Sequence, residues 1–281
     1  MQRLDSVAIV GVGLIGASIG LAIQQRKLVR RVIGIGRRQT TLNVARKRGA
    51  VTEATTDLEQ GVAQADLVIV CTPVNKIVET VERTARACRP DCLLTDVGST
   101  KGAIVAALEA SLTGPPHFLG SHPLAGSENS GPEHGRADLL EGRVVVVTPT
   151  PRSRDEDLAA LEQFWSSLGA RVLRMSPAEH DEAVASTSHL PHLIAAAIAG
   201  ATPTQYAALV ATGWLDTTRI AAADPQLWRQ ILLDNRDQVL ACLDRFDQTL
   251  AGLRAALERG DGTELEELLT TAKRTRDALG S

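Results

Sequence analysis

The sequence predicts an α/β protein with a mostly parallel sheet, followed by an all-α C-terminal domain. Up to about residue 175, short β-branched runs bounded by glycine or proline alternate with helical segments, a pattern typical of βαβ units. After Met175 no strand pattern follows, and the chain continues in long segments rich in alanine and leucine. We therefore divide the chain into residues 1–175 and 176–281.

Length and composition are those of an ordinary globular protein with room for two domains. The 281 residues are 44% hydrophobic and 22% charged, and the formal net charge is −3. This balance gives no basic field for nucleic acid and no reason to expect a membrane surface. The four cysteines lack zinc or redox spacing, apolar runs such as "LIAAAIAGA" are too short to span a bilayer, and a strand begins close to Met1. These features predict a cytoplasmic protein without a signal peptide.

The first half contains seven strand patterns separated by five helical ones. The strand patterns are "SVAIVGVG", "RRVIGIG", "ADLVIVCTP", "CLLTDVGS", "HFLGSHP", "RVVVVTPT" and "ARVLRM". The helical patterns cover 14–26, 39–48, 75–88, 100–111 and 154–168. Ser153 and Glu156 have the spacing of a capping box for the last of these helices, and Gly169 is placed to end it.

The second half is predicted to be helical over 177–200, 203–213, 225–258 and 262–279. Ser176, Pro177 and Glu179 form a helix-start signal, in which serine caps the helix and glutamate completes a capping box. Pro191 should kink the first long helix because it lacks a backbone donor. Helices this rich in alanine and leucine often bury a face against a second subunit, so we expect a homodimer.

Three glycines directly follow the first strand and open the first helix. Gly11, Gly13 and Gly16 in "VAIVGVGLIGASIG" have the G-x-G-x-x-G spacing of a Rossmann-type nucleotide-binding domain. The first makes a tight turn, the second lets a pyrophosphate approach the backbone, and the third lets helix and strand pack closely. We expect a nicotinamide cofactor on this loop, which also includes Leu14 and Ile15.

The residue that follows the second strand bears on the choice between NAD and NADP. An acid there would bind the ribose 2′-hydroxyl of NAD, but "VIGIGRRQTT" has Gly36, followed by Arg37 and Arg38. Two guanidiniums can clamp a 2′-phosphate, so the sequence favours NADP, with NAD as the alternative. Both arginines can equally be read as solvated surface charge.

Polar residues follow two further strands at the edge where ligands bind in an open α/β sheet. Thr72 and Pro73 end "VIVCTP", and Asp96, Ser99 and Lys101 belong to "LLTDVGSTKG". We expect these residues to line the nicotinamide side of the cofactor site. Capping of the following helices explains Thr72 and Ser99 about as well.

Five stretches in this order resemble the prephenate/arogenate dehydrogenase family of tyrosine biosynthesis. They are "GVGLIGASIG", "DVGSTKG", "GSHPLAGSENSG", "STSHLPH" and "DTTRIAAADPQLWRQILLDN". The resemblance spans nearly the whole chain, and the last three stretches are specific to the family. It implies an NAD(P)-linked oxidative decarboxylation that aromatises the substrate ring, with a chorismate mutase module and a regulatory domain both absent.

The resemblance assigns catalytic roles to His122 and Ser99. Loss of hydride from a carbinol carbon needs an acceptor for the hydroxyl proton, which histidine provides near neutral pH. His122 matches the residue that hydrogen-bonds the 4-hydroxyl, and Ser99 matches a serine that orients the histidine and the nicotinamide. Arg219 matches an arginine that binds a substrate carboxylate, with Asp216 three residues earlier to hold its guanidinium.

Further substrate contacts follow from the same resemblance. His192 matches a histidine near the substrate, Trp228 occupies the family's aromatic position, and Ser127 and Glu128 match the pocket rim. A core role for Trp228 is equally open, whereas His189, Glu133 and His134 are read as structural or solvated residues. His189 and His192 lack a third ligand at suitable spacing, so we predict no metal.

Prephenate is the predicted substrate, and arogenate, which bears an ammonium group in place of a keto group, is the alternative. Thr148 is uncharged where an acid would favour the ammonium group. Another two-domain dehydrogenase would place a lysine in the helices before residue 272, and none occurs there. A non-catalytic NADP-binding sensor would not need His122, Ser99 and Arg219 together.

Overall fold

The structure, a computed structural model, describes residues 4–127 and 129–279. It confirms the predicted fold class, because a Rossmann-type α/β half is followed by a half in which every described element is helical. In the described chain the strands are β1 (Ser6–Val10), β2 (Arg31–Ile35), β3 (Glu53–Thr55), β4 (Leu67–Val70), β5 (Leu93–Asp96), β6 (His117–Phe118), β7 (Gly120–Pro123), β8 (Val144–Thr148) and β9 (Arg171–Arg174).

Six of these strands form a parallel sheet in the order β3-β2-β1-β4-β5-β6. The chain reverses direction across the sheet between β1 and β4, and the loops after β1, β4 and β5 therefore emerge at one edge. A second sheet has the order β7-β8-β9, with β7 antiparallel and β9 parallel to β8. The first sheet thus provides the crevice at which α/β proteins bind nucleotides.

Alternate residues of the central strands build two separate apolar layers. Val7 and Ile9 of β1 belong to one layer, and Ala8 and Val10 belong to the other. Side chains alternate along a strand, so a strand buried on both faces reads as a continuous apolar run, as "VAIV" does. The first layer continues to Trp165, which is fully buried.

The helices of the described chain cover both faces of the first sheet and then form the second half. They are α1 (Leu14–Arg26), α2 (Gln39–Lys47), α3 (Leu58–Val62), α4 (Val74–Ala85), α5 (Gly102–Ser111), α6 (Asp155–Ser167), α7 (Pro177–Val184), α8 (Leu190–Ala201), α9 (Thr212–Thr218), α10 (Pro225–Asp234), α11 (Arg236–Arg259) and α12 (Gly262–Ala278).

The helical half is more interrupted than its sequence pattern predicts. A π-helical turn over Ala185–His189 separates α7 from α8, and Pro191 is the second residue of α8. The predicted helix 225–258 breaks between α10 and α11 at Asn235, which is 4% exposed. Its side chain donates to the backbone oxygen of Asp181 at 2.8 Å, so the break delivers a polar group into the interior.

Two further features of the first half differ from expectation. The sequence pattern does not predict β3 and α3, which are only three and five residues long. The Ser153–Glu156 capping box is wrong, because α6 begins at Asp155 and Ser153 Oγ instead accepts from the Thr150 amide at 2.9 Å. The Ser176–Glu179 box is present as predicted, and both of its hydrogen bonds form.

Candidate active site

The glycine loop after β1 has the close contacts that its spacing predicts. Gly11 has φ +97°, and a Cβ there would lie 2.6 Å from the Cys71 oxygen. A Cβ on Gly16 would lie 2.3 Å from the Gly11 oxygen, whereas a Cβ on Gly13 would meet nothing within 4 Å. Only the middle glycine therefore faces open space, with the unpaired amides at the start of α1 beside it.

A cleft of about 1040 Å³ opens over this loop. Of the predicted cofactor residues, Gly11, Gly13, Arg37, Arg38, Thr72 and Pro73 line it. Leu14, Ile15 and Gly16 instead form the first turns of α1. Thr72 Oγ1 is buried without a hydrogen-bond partner among the described residues, as expected where a polar ligand supplies the missing bond.

The two arginines after β2 are free to meet an anion. Arg37 and Arg38 are exposed at the cleft, and neither forms an ion pair within the described chain. Gly36, which stands in place of an acid, donates its amide to the Thr55 oxygen at 3.3 Å. This end of the cleft therefore offers a phosphate two guanidiniums and no carboxylate at the strand end.

Asp96 and Lys101 do not line the cofactor cleft, contrary to expectation. Both are fully buried and form an ion pair with each other. Asp96 also accepts from the amides of Gly98 and Ser121 at 2.8 and 3.2 Å, and Lys101 donates to the Ser121 oxygen at 3.1 Å. The pair thus fixes the residue before His122 to the end of β5.

His122 lies on β7 and contacts a second histidine that the sequence analysis did not single out. Its Nδ1 is 2.8 Å from Nε2 of His180, and the two rings meet edge to face at 5.1 Å. His180 Nδ1 is in turn 2.8 Å from Oδ1 of Asp181. Both partners come from the first turns of α7, whose start is fixed by the Ser176–Glu179 box.

Asp181 joins the helical half to the loop that follows β5. Its Oδ1 accepts from the Lys101 amide and its Oδ2 from the Gly102 amide, both at 2.8 Å. The α5 helix has no capping side chain of its own, and Asp181 fills that role from another part of the chain. Thr100 Oγ1 adds a second link by donating to Asp234.

The two histidines around Pro191 both contact Trp228. The His192 ring stacks on the indole with centroids 3.5 Å apart and 10° between the planes, and its Nδ1 is buried without a partner in the described chain. His189 meets the indole edge-on at 6.1 Å, and its Nδ1 is 3.2 Å from Nδ2 of Asn235. Trp228 is half-buried, and it also packs on the apolar layer that includes Ile231.

Burial favours the uncharged form of His122, His189 and His192. It lowers the pKa of His122 well below the ordinary 6.5, and nearby His180, Lys101 and His189 lower that pKa further. Burial likewise lowers the pKa of His189 to about 4 and depresses that of His192. Burial alone would raise the pKa of Asp181, but hydrogen bonds from His180, Gly102 and Lys101 bring it below its usual value.

Ser99, Arg219 and Ser127 do not make the contacts expected of them. Ser99 is half-buried in the β5–α5 loop and has no hydrogen bond to a described residue, so His180 is the partner that orients His122 here. Arg219 is exposed in a 3₁₀ turn that packs on α8, and no ion pair joins it to Asp216. Ser127 is exposed and accepts from the Asn129 amide, and Glu128 lies outside the described residues.

Residues 130–135 make more contacts with the rest of the protein than a simple surface loop would. Glu133 and His134 are exposed, as expected, but Pro132 is buried and Ser130 to Glu133 line the cofactor cleft. Arg48 donates to the backbone oxygens of Glu133 and Gly135, which fixes this stretch against α1 and α2. Thr148 is 1% exposed and donates to the Gly120 oxygen. Its lack of charge therefore does not favour prephenate over arogenate.

No group of three potential ligands is arranged to hold a metal ion within residues 4–127 and 129–279. Over the same residues, none of the helices combines the length and the apolar character needed to cross a membrane.

Two family models match this chain with little overlap or gap between them. One, described as the nucleotide-binding domain of prephenate dehydrogenase, matches residues 19–174, and the other, described as its dimerization domain, matches 176–271. The chain belongs to the prephenate dehydrogenase family. It is an oxidoreductase of that family.

Individual members of the prephenate dehydrogenase family match over nearly the whole chain. The cyclohexadienyl dehydrogenase of Zymomonas mobilis is 34% identical over 99% of this chain and 97% of its own length. The prephenate dehydrogenase of Bacillus subtilis is 33% identical over 99% of this chain and 77% of its own.

Solved structures of the prephenate dehydrogenase family show the same fold. The Aquifex aeolicus prephenate dehydrogenase in complex with hydroxyphenyl propionate and NAD+ is 31% identical, covers 98% of both chains and has a TM-score of 0.91. The Synechocystis arogenate dehydrogenase is 32% identical, covers 98% of this chain and 99% of its own, and has a TM-score of 0.83.

Proposed function

We propose that this protein oxidises prephenate to 4-hydroxyphenylpyruvate with release of CO₂, using a nicotinamide cofactor. The observation that carries the proposal is the position of a neutral His122 beside the carboxyl end of β5. The loops after β1, β4 and β5 follow one another along the sheet edge, and Ser121 Oγ donates to the Asp96 oxygen at 2.7 Å. A dinucleotide bound at Gly13 and Thr72 would occupy this same edge of the sheet.

His122 is the proposed base, because its Nε2 makes no hydrogen bond with a described residue and its low pKa keeps it neutral. It would take the proton of the ring hydroxyl, while the bound nicotinamide supplies the hydride acceptor. Departure of the ring carboxylate as CO₂ then leaves an aromatic ring. Ser99 would help to orient His122 and the nicotinamide once these are in place.

Arg219, His192 and Trp228 are the proposed substrate-binding residues, with Ser127 and Glu128 at the rim. The unpartnered Nδ1 of His192 and the free guanidinium of Arg219 are suited to a substrate with two carboxylates. His192 reaches His122 through a continuous series of contacts by way of Trp228, His189, Asn235, Asp181 and His180.

Steady-state kinetics with purified protein test the substrate. Prephenate and arogenate are each supplied with NAD and with NADP, and we expect the highest kcat/KM with prephenate. Turnover of arogenate alone would favour the alternative, that the protein is an arogenate dehydrogenase. We include arogenate because the Synechocystis relative is named an arogenate dehydrogenase. Cofactor binding without turnover of either compound would favour a non-catalytic sensor.

NADP is the proposed cofactor, and NAD, which is bound in the Aquifex relative, is the alternative. The support is the pair of unpaired arginines at the cleft and the glycine that replaces the acid. Replacing Arg37 and Arg38 together by alanine should raise KM for NADP at least tenfold and leave KM for NAD nearly unchanged. Arg46→Ala, an exposed change on the following helix α2, is the control. An equal effect on both cofactors would contradict the assignment.

A homodimer through residues 176–281 and a cytoplasmic location complete the proposal. Leu233, Leu250 and Leu257 are each at least half exposed in this chain, and a second subunit would cover such a face. All four cysteines are free thiols, which suits a reducing compartment.

A further inference from the structure

We infer that His180 and Asp181 form a positioning pair that fixes the tautomer of His122 and leaves its Nε2 free to accept the substrate proton. The inference rests on the proposed role of His122 as the base. His180 is fully buried and Asp181 is 7% exposed, and neither has a role in the sequence-based assignment. Their placement on α7, across from β7, gives the helical half a direct contact with the reacting residue.

The proton positions follow from Asp181. Its carboxylate accepts from the Lys101 amide, the Gly102 amide and His180, and the two amides can only donate. An ionised carboxylate is also acceptor-only, so the proton in the third bond must belong to His180 Nδ1. We take His180 to carry this one ring proton, so that its Nε2 carries none.

The hydrogen bond between His180 and His122 fixes the tautomer of His122 in turn. His180 Nε2, lacking a proton, must accept across the 2.8 Å contact, so His122 Nδ1 carries the hydrogen. A neutral imidazole has one protonated nitrogen, and His122 Nε2 is therefore the free base. When Nε2 takes a proton, the His122 imidazolium remains hydrogen-bonded to His180, with the negative charge of Asp181 one residue further on.

The local packing makes this arrangement rigid. A Cβ on Gly102 would lie 2.9 Å from Asp181 Oδ2, so glycine is what allows the carboxylate this close to α5. The backbone amide of His180 donates to the backbone oxygen of Ser176 at 3.0 Å, so the histidine is held within the regular hydrogen bonding of α7. The pair is thus anchored from both halves of the chain.

The substitution Asp181→Asn tests the inference, because it keeps the shape of the side chain and removes the negative charge behind His180. Oδ1 of Asp181 accepts from both His180 and the Lys101 amide, so asparagine retains these bonds only with its oxygen in that position. We expect kcat to fall by roughly tenfold or more, with KM changed much less, because the His122 imidazolium loses a stabilising charge. Loss of the nearby negative charge should also move the acidic limb of the kcat/KM profile to lower pH.

Ser176→Ala is the matched control for a loosened α7. It removes the cap, at a typical cost of about 1 kcal/mol, and leaves every group in the pair in place. We expect a lower unfolding temperature with kcat within about threefold of wild type and an unshifted pH profile. If Ser176→Ala lowers kcat as much as Asp181→Asn does, the pair has only a structural role.

Nitrogen-15 NMR of histidine-labelled protein measures the tautomers directly and does not require turnover. The chain has six histidines, so a His122→Asn spectrum assigns the signal of interest. The inference requires His122 to be protonated at Nδ1 and unprotonated at Nε2 in the wild type. A wild-type His122 protonated at Nε2 overturns it. Failure of the proposed function would appear instead as absent turnover with the tautomers as inferred.

Discussion

At the scale of single residues, His122 combines low basicity with an open ring nitrogen. The substitution His122→Asn should lower kcat by roughly 10²–10⁴-fold, the usual contribution of a positioned acid or base. KM should change little, because asparagine can still hydrogen-bond a hydroxyl. Steady-state kinetics measure both, and His134→Asn, an exposed change, is the control. An unchanged kcat would remove His122 from the mechanism.

The pH dependence of activity follows from the direction of the His122 pKa shift. The base must be neutral to accept a proton, so kcat/KM falls as pH drops through its pKa. Burial lowers that pKa well below 6.5, and the acidic limb should therefore have its midpoint below pH 6.5. A midpoint above 6.5 that disappears in His122→Asn would contradict the burial of this group.

Arg219 is exposed and unpaired within the described chain, so its removal should be nearly neutral for folding. Arg219→Ala should raise KM for the substrate by roughly 10²-fold, the scale of a lost charge-assisted pair, with a smaller effect on the cofactor. Arg229→Ala, an exposed change on α10, is the control. A loss of thermal stability without a change in KM would assign Arg219 a structural role.

At the scale of elements, the glycines between β1 and α1 differ in role. Substitutions at Gly16 and Gly13 distinguish the packing of this loop from its binding of the cofactor. Gly16→Ala places a Cβ 2.3 Å from a backbone oxygen and should destabilise the protein by about 1–3 kcal/mol as well as weaken cofactor binding. Gly13→Ala meets nothing within 4 Å, so it should keep wild-type stability and lose cofactor affinity alone. Thermal unfolding and cofactor titration distinguish the two, and equal destabilisation by both would contradict this division of roles.

The elements also indicate what sequence alone can predict. Alternation of strands and helices located the first sheet, because buried parallel strands are apolar throughout, as β1 and β4 are. Three-residue β3 and five-residue α3 carry too little periodicity to be recognised. The break at Asn235 was missed because its cause is a hydrogen bond to Asp181, 54 residues away.

In the candidate site too, features set by local sequence were predicted, and features set by long-range contacts were not. Gly11, Gly13 and Gly16 act through local backbone geometry, and their spacing predicted the loop. His180 and Asp181 look like ordinary solvated residues in the first turns of a helix, and the packing of α7 on α5, α11 and β8 buries them. For Asp96 and Lys101 the prediction was wrong in the opposite direction. They were expected to line the cofactor cleft, but they form a buried ion pair with each other and lie outside it.

At the scale of the whole molecule, the exposed leucines of α10 and α11 predict self-association. Wild-type protein should sediment at twice the chain mass of 29.8 kDa. The double change Leu250→Glu and Leu257→Glu, one face of α11 two turns apart, should shift it to the monomer. Leu173→Glu, an exposed leucine on β9, should leave the mass unchanged. A wild-type monomer would contradict the prediction.

The cap that Asp181 provides for α5 has a consequence for how the protein is made. The Thr100 hydroxyl and the amides of Lys101 and Gly102 have their hydrogen-bond partners at Asp234 and Asp181, far later in the chain. During synthesis the nucleotide-binding half emerges from the ribosome first, with the start of α5 still unsatisfied. The start of α5 therefore gains these three bonds only after residue 234 has been synthesised.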